Sequence, residues 1–313
     1  MTTARKIIID TDPGQDDAVA ILLALASPEL ETIGITAVAG NVPLALTERN
    51  ALKICELAGK PETPVYSGAV RPLMRALVTA EHVHGKTGLD GPDLPEPKMA
   101  LRKEHAVDFI VETLMREERG MITLCALGPL TNIALALIRE PRIAPRVKEL
   151  VMMGGGFFEG GNITPAAEFN IHVDPHAADI VFRSGIPIVM MPLDVTHKAL
   201  TSPARIAAFR DLGNRAGIAV AEMLGFSERF DKEKYEGEGG PLHDPCVIAW
   251  LLAPGIFRGR ECNVAIETIS ELTLGMTVVD WWGVTDRPKN ALVMRDIDHE
   301  AFFAMLFERI GRL

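Results

Sequence analysis

The run Ile7-Ile8-Ile9-Asp10-Thr11-Asp12-Pro13-Gly14-Gln15-Asp16-Asp17 places four carboxylates directly behind a short apolar segment. Three consecutive isoleucines read as a buried strand, so the acids stand where a strand leaves its sheet, and Pro13-Gly14 turns the chain there. Like charges this close repel one another, and each needs a proton or a cation; such an arrangement costs stability and points to function. Hard oxygen ligands at this density suit calcium or magnesium, with one carboxylate left to accept a proton from water.

Other readings of the run fail on particular residues. An EF-hand loop beginning at Asp10 needs Gly at its sixth position and Glu at its twelfth, where Gln15 and Ile21 stand. A metal-dependent phosphohydrolase of the haloacid dehalogenase type, with Asp10 as nucleophile, expects Thr or Val where Gly14 stands. An Asp-rich surface turn has no use for four acids. Further along, Gly154-x-Gly156 looks like half of a dinucleotide fingerprint. Glu159 occupies the third glycine's place and no helical pattern follows, so a nicotinamide or flavin cofactor is not expected.

Apolar runs at 33–38, 122–127, 150–153 and 186–191 read as buried parallel strands. Between them, Val107, Ile110, Val111 and Leu114 recur at helical spacing, and Asp174-Pro175 reads as the cap and first turn of another helix. A last helix is predicted from about Asp298, with Phe302, Phe303, Leu306, Phe307 and Ile310 on one broad face. The expected fold is α/β: an open, mostly parallel, Rossmann-like sheet with helices on both faces. Antiparallel edge strands are expected from the alternation over 263–280, and the whole of 1–313 reads as one domain. Residues 90–97 and 226–241 read as irregular, and the second stretch is the predicted lid over a cleft at the carboxyl ends of the strands. Trp250, Trp281 and Trp282 read as core.

With 48% apolar residues the chain can build a large core. Its formal charge of −10 disfavours nucleic acid as a partner and leaves a small neutral substrate as the better fit. Cys55, Cys125, Cys246 and Cys262 stand apart with no CxxC, as reduced buried thiols do, so a cytoplasmic compartment is expected. Ile7–Ile9 is too short for a signal peptide, and no apolar run approaches the roughly 20 residues of a membrane span.

Asp10 to Asp17 resembles the DxDPGxDD signature of the nucleoside hydrolase family. The resemblance continues in order through Gly40-Asn41, His84 with Gly88-Leu89-Asp90-Gly91, Gly128-Pro129-Leu130-Thr131-Asn132, Met153-Gly154-Gly155-Gly156, Asn162, Glu168-Phe169-Asn170 and His243-Asp244-Pro245-Cys246. It implies hydrolysis of the N-glycosidic bond of ribonucleosides through a transition state with oxocarbenium character, in a homodimer or homotetramer. It also implies a Ca2+ ion on Asp12, Asp17, Asp244 and the backbone carbonyl of Leu127. Asp12 would be the general base, with Asp10 supporting it. Asp16, Asn41, Met153, Asn162, Glu168 and Asn170 resemble the substrate-binding set, Asn162 and Glu168 toward the 5′-hydroxyl, Asp16 and Asn170 toward the 2′ and 3′ side. The stretch before Asn162 is one residue longer than the family spacing. His243 and His84 match the pocket histidines and are the expected proton donors to the departing base, since His titrates near neutral pH. Histidine next to Asp244 resembles the inosine-uridine preferring branch. His82, His105, His172, His176, His197 and His299 are expected to be surface or packing residues. The alternatives weighed against this reading are the phosphohydrolase and a nucleoside-binding protein without catalysis, and the presence of every candidate catalytic group disfavours the latter.

Overall fold

The computed structural model describes residues 4–235 and 239–313. Its strands, in chain order, are β1 (Arg5–Thr11), β2 (Leu30–Ala37), β3 (Val65–Tyr66), β4 (Ile122–Ala126), β5 (Val147–Met153), β6 (Ile188–Met191), β7 (Leu200–Thr201), β8 (Gly240–Pro241), β9 (Phe257–Cys262), β10 (Val264–Ile266), β11 (Thr277–Val279) and β12 (Ala291–Ile297). Among the described residues, eight of them form one sheet in the order β3-β2-β1-β4-β5-β6-β12-β9. All neighbours are parallel except β12 and β9.

The apolar runs are continuous because both faces of this sheet are covered. In β1, Ile7 and Ile9 join one core with Leu127, Val151 and Met191, while Ile8 joins the other with Leu124, Leu150 and Met190. Successive side chains of a strand point to opposite faces, so every residue of a doubly covered strand must be apolar. The helix Gln15–Leu25, which follows the acidic turn, is buried on nearly every side and carries no clear apolar stripe.

Strand order explains where a ligand can go. From β1 the chain winds outward through β2 and β3, then returns to the other side of β1 and proceeds through β4, β5 and β6. Crossovers on either side of β1 lead away from it, leaving a crevice at the carboxyl ends of β1 and β4. The acidic turn after β1 stands in this crevice.

Two expectations are corrected. Residues 263–280 do form antiparallel strands, β10 and β11, but these pair with each other in a separate two-stranded sheet. The antiparallel edge of the main sheet is β9. The Asn290 side chain accepts from Val264 N–H (2.8 Å) and donates to Val264 C=O (2.9 Å), so β10 has no backbone groups left at that residue with which to follow β12. Within the predicted irregular stretch 226–241, residues up to Tyr235 belong to the helix Arg215–Tyr235, and 236–238 lie outside the described residues. Beyond Gly225 this segment is rich in Glu, Lys and Arg, which favour helix without the apolar stripe that reveals one in a sequence.

Other local readings agree with the structure. The helix Pro175–Phe182 begins with the Asp174 carboxylate accepting from Ala177 N–H, and the last helix, His299–Ile310, is capped by Asp298. Trp281 is buried against Phe157, whereas Trp282 is 71% exposed and is not core. The four cysteines are free and buried, and burial pushes the Cys55 thiol up to about 12. Among the described residues no helix is long and apolar enough to cross a membrane.

Asp174 also accepts from Leu73 N–H (2.9 Å) and Thr131 Oγ1–H (2.8 Å), so one carboxylate joins three segments. Asp174→Ala is expected to cost about 2 kcal/mol or more, since it removes a cap and strands the buried Thr131 hydroxyl and the half-buried Leu73 N–H. A fall in melting temperature of about 5 °C by calorimetry would register it, and an unchanged melting temperature would refute the role.

Candidate active site

Every residue expected to touch substrate lies on one cleft of about 910 Å³, open mouth included. It is lined by Asp16, Asn41, His84, Leu127, Met153, Asn162, Glu168, Asn170, His243 and Asp244. Asp12 and Asp17 are fully buried at its base.

Three carboxylates, those of Asp16, Asp17 and Asp244, each present an oxygen within 4.8 Å of the others. Asp16 therefore belongs to the acidic cluster as well as to the cleft wall. Of the expected set, Asp17 and Asp244 lie in this cluster; Asp12 is close enough for its charge to raise Asp244, and Leu127 lines the cleft with its carbonyl accepting from Asn170 Nδ2–H. Burial raises the pKa of all four acids; the Asp17 charge raises Asp12 further, Asp16 raises Asp17, and Asp244 is raised by Asp16, Asp17 and Asp12. Among the described residues no Lys or Arg pairs with any of them. A buried, all-oxygen, uncompensated acidic cluster fits a hard divalent cation.

The surrounding backbone leaves room for this crowding. Asp12 Oδ2 accepts from Asn41 N–H (2.6 Å), while Oδ1 is buried with no hydrogen-bond partner among the described residues. A Cβ on Gly40 would stand 2.1 Å from Asp12 Oδ2, and one on Gly128 would stand 2.1 Å from Oδ1. Both glycines are required by close approach to this one carboxylate. Asp17 accepts from Gly14 N–H (2.9 Å) and from the Thr11 hydroxyl, capping its helix and turning toward the cluster at once. Asp10 lies deeper, accepting from Thr36 Oγ1–H (2.6 Å) and Asn132 Nδ2–H (2.8 Å), and burial pushes it up to about 7.

On the opposite wall, Glu168 accepts from the backbone N–H groups of Gly155, Asn170 and Ile171, and burial still pushes it up to about 7. Asn170 Nδ2–H bridges the carbonyls of Leu127 (2.7 Å) and Met153 (3.3 Å), tying the ends of β4 and β5 together. Asn162 reaches the cleft despite the longer spacing before it, and its Oδ1 accepts from Phe169 N–H (2.8 Å).

The two pocket histidines are held differently. His243 Nδ1 meets Thr196 Oγ1 at 2.7 Å, with the His197 ring 5.8 Å away. His84 Nδ1 meets Gln15 Oε1 at 2.6 Å, and burial pushes its imidazole down to about 4 although Asp17 pulls the other way. His84 is thus neutral at neutral pH. His82, expected to be a bystander, also lines the cleft.

Sequence reasoning missed Gln15, Thr196 and Asp194. Asp194 accepts from the N–H groups of Phe157, Phe158 and Glu159, holding the loop after Met153-Gly154-Gly155-Gly156. A signal was present: Asp194 follows the apolar strand β6 as Asp12 follows β1.

Residues 7–304 match the family model described as inosine-uridine preferring nucleoside hydrolase. The chain is 57% identical over 308 residues to an uncharacterised protein of Schizosaccharomyces pombe, covering 98% of this chain and 99% of the other. It is 51% identical over 308 residues to a protein of Salmonella paratyphi B named pyrimidine-specific ribonucleoside hydrolase RihA, covering 98% of each. A purine-preferring ribonucleoside hydrolase from Gardnerella vaginalis superposes with a TM-score of 0.92 at 34% identity, over 98% of each chain. A plant nucleoside hydrolase does so with a TM-score of 0.91 at 32% identity, over 99% of each. The chain belongs to the nucleoside hydrolase family. It is an enzyme that hydrolyses the N-glycosidic bond of ribonucleosides.

The buried acids make stability depend on pH with a definite sign. A carboxyl raised by folding contributes stability that is present below its ordinary pKa and is lost as pH rises through the folded value. For Asp10 the window runs from 3.8 to about 7, and for Glu168 from 4.5 to about 7. In chelator, the melting temperature is expected to fall by about 5 °C or more between pH 5 and pH 8. An added divalent cation should raise it more at pH 8, because cation and proton compete for the same oxygens. A flat profile, or a larger cation effect at pH 5, would contradict this account.

Proposed function

We propose that this nucleoside hydrolase is calcium-dependent, and that Asp12, Asp17, Asp244 and the Leu127 carbonyl hold the ion with Asp16 beside it. The observation that carries the reading is the buried acidic cluster with no Lys or Arg partner among the described residues. The donor set is all oxygen with no His or Cys ligand, which favours calcium over zinc. Bound there, calcium would supply a Lewis acid that lowers the pKa of a water.

The chain's own residues do the rest. Asp12 Oδ1, which has no hydrogen-bond partner among the described residues, takes the proton of the attacking water. The water oxygen bonds to C1′ as the bond from C1′ to the base nitrogen breaks. Asn162 and Glu168 hold the 5′ end of the ribose, and Asp16 and Asn170 hold its 2′ and 3′ side. The negative field of the cluster favours positive charge building on the sugar. His243, oriented through Nδ1 by Thr196, gives a proton to the departing base.

Pyrimidine ribonucleosides stand first as substrates, because the Salmonella relatives at 51% identity are named as pyrimidine-specific. The whole chain acts as one domain with 226–241 as its lid, in the cytoplasm, as a homodimer or homotetramer.

Free ribose released from uridine, cytidine, inosine, adenosine and guanosine, with calcium or chelator, tests the reading. Chelator-sensitive release, fastest on the pyrimidines, is expected; no release from folded, calcium-loaded protein would overturn it. Asp12→Ala should lower kcat by about a thousandfold or more while the fold persists. His243→Ala should slow a natural nucleoside by about a hundredfold and barely affect a nitrophenyl riboside, whose leaving group needs no proton. Equal losses on both substrates would remove the proton-donor role.

A further inference from the structure

The Gln15 side chain is enclosed by three hydrogen bonds. Its Nε2 donates to the carbonyls of His84 (3.0 Å) and Asp90 (3.2 Å), and its Oε1 meets His84 Nδ1 at 2.6 Å. An amide NH2 has two protons, and both are used on carbonyl oxygens. Rotating the amide would press Oε1 against two carbonyls and lose both bonds, so Oε1 must face the ring. An amide oxygen only accepts; His84 Nδ1 therefore carries the proton. In a neutral imidazole the other nitrogen, Nε2, then bears a lone pair.

The ring is held from a second side. A Cβ on Gly14 would lie 2.5 Å from His84 Nδ1 and 2.8 Å from Cε1, so that edge of the ring rests on the acidic turn. Asn50 Nδ2–H bridges Pro13 C=O (3.0 Å) and Thr87 C=O (2.8 Å), clamping the segment after His84 to the same turn. Nε2 accepts no hydrogen bond among the described residues, and His84 lines the cleft.

We propose that Gln15 is a positioning residue that fixes His84 in its Nδ1–H form, so that His84 Nε2 accepts a hydrogen bond from an O–H or N–H of the bound ribonucleoside. This assigns His84 to recognition instead of proton donation, and it rests on reading the cleft as the nucleoside site. The donor is either the ribose 2′-hydroxyl or the ring N–H of the base, and the substrates below separate them.

The test reads the tautomer directly, without turnover. Long-range 1H–15N correlation spectra of calcium-loaded protein labelled at histidine nitrogen, at pH 8, give the form of His84, assigned by its loss in His84→Ala. Wild type should show Nδ1–H. Gln15→Leu, which removes the acceptor, should shift it toward Nε2–H. In kinetics, Gln15→Leu should raise KM for uridine about tenfold with a much smaller change in kcat, the scale of one hydrogen bond. That loss should vanish in the His84→Ala background. It should also vanish for one of 3-methyluridine or 2′-deoxyuridine, measured as substrate or competitive inhibitor, and that analogue names the missing donor. An Nε2–H His84 in wild type overturns the proposal, as does a Gln15→Leu loss that persists without His84 or is equal on all three ligands. Failure to release ribose from any nucleoside would strike the reading of the site and leave the tautomer result standing.

Discussion

Mutual repulsion among buried carboxylates is the constraint around which this structure is organised. Asp12, Asp16, Asp17 and Asp244 sit within one small volume at the end of β1, and burial disfavours the charge on each. A protein retains such an arrangement only where something else binds there. The neighbouring features serve to make the crowding possible. Gly40 and Gly128 lack the side chains that would collide with Asp12, and the helix start at Gly14 gives Asp17 a backbone N–H. The sheet places all of this at the crevice where strand order reverses about β1.

The same turn that gathers the acids also organises the far wall of the cleft. Gln15 reaches the segment containing His84 and Asp90, and Asn50 ties Pro13 to Thr87. Substrate recognition and cation binding are therefore mechanically joined: a change in the acidic turn moves both. Across the cleft, Asn170 bridges the carbonyls at the ends of β4 and β5, and Asp194 holds the loop after β5 from the end of β6. The residues lining the cleft hang from strand ends whose positions the covered sheet fixes, and side-chain to backbone bonds set their final orientation.

Much of the site was legible because its residues occur in short ordered clusters at strand ends. Asp12, Asn41, Leu127 and Met153 each stand at or just beyond the end of a strand, where apolar runs give way to turn residues. The missed residues lack such a mark. Thr196 is an ordinary helix residue until His243, distant in sequence, meets it. Alternation over 263–280 revealed strands but could not say that Asn290 would detach them from the main sheet. The helix Arg215–Tyr235 ends in a stretch that reads as irregular in sequence, because charged residues there leave no apolar stripe.

By itself, the sequence determined the parallel α/β class, the concentration of acid behind β1, and the chemistry that such acid can perform. These follow from local properties: a continuous apolar run requires a doubly covered strand, and clustered carboxylates require a cation or protons. Tertiary structure alone decided which acids converge, which nitrogen of His84 carries its proton, and that Asp16 borders the cation position as well as the cleft. Those outcomes depend on contacts between segments far apart in the chain, 69 residues in the case of Gln15 and His84. Distances of a few ångströms between such segments, and the direction in which a hydrogen bond runs, are set by packing rather than by local sequence pattern.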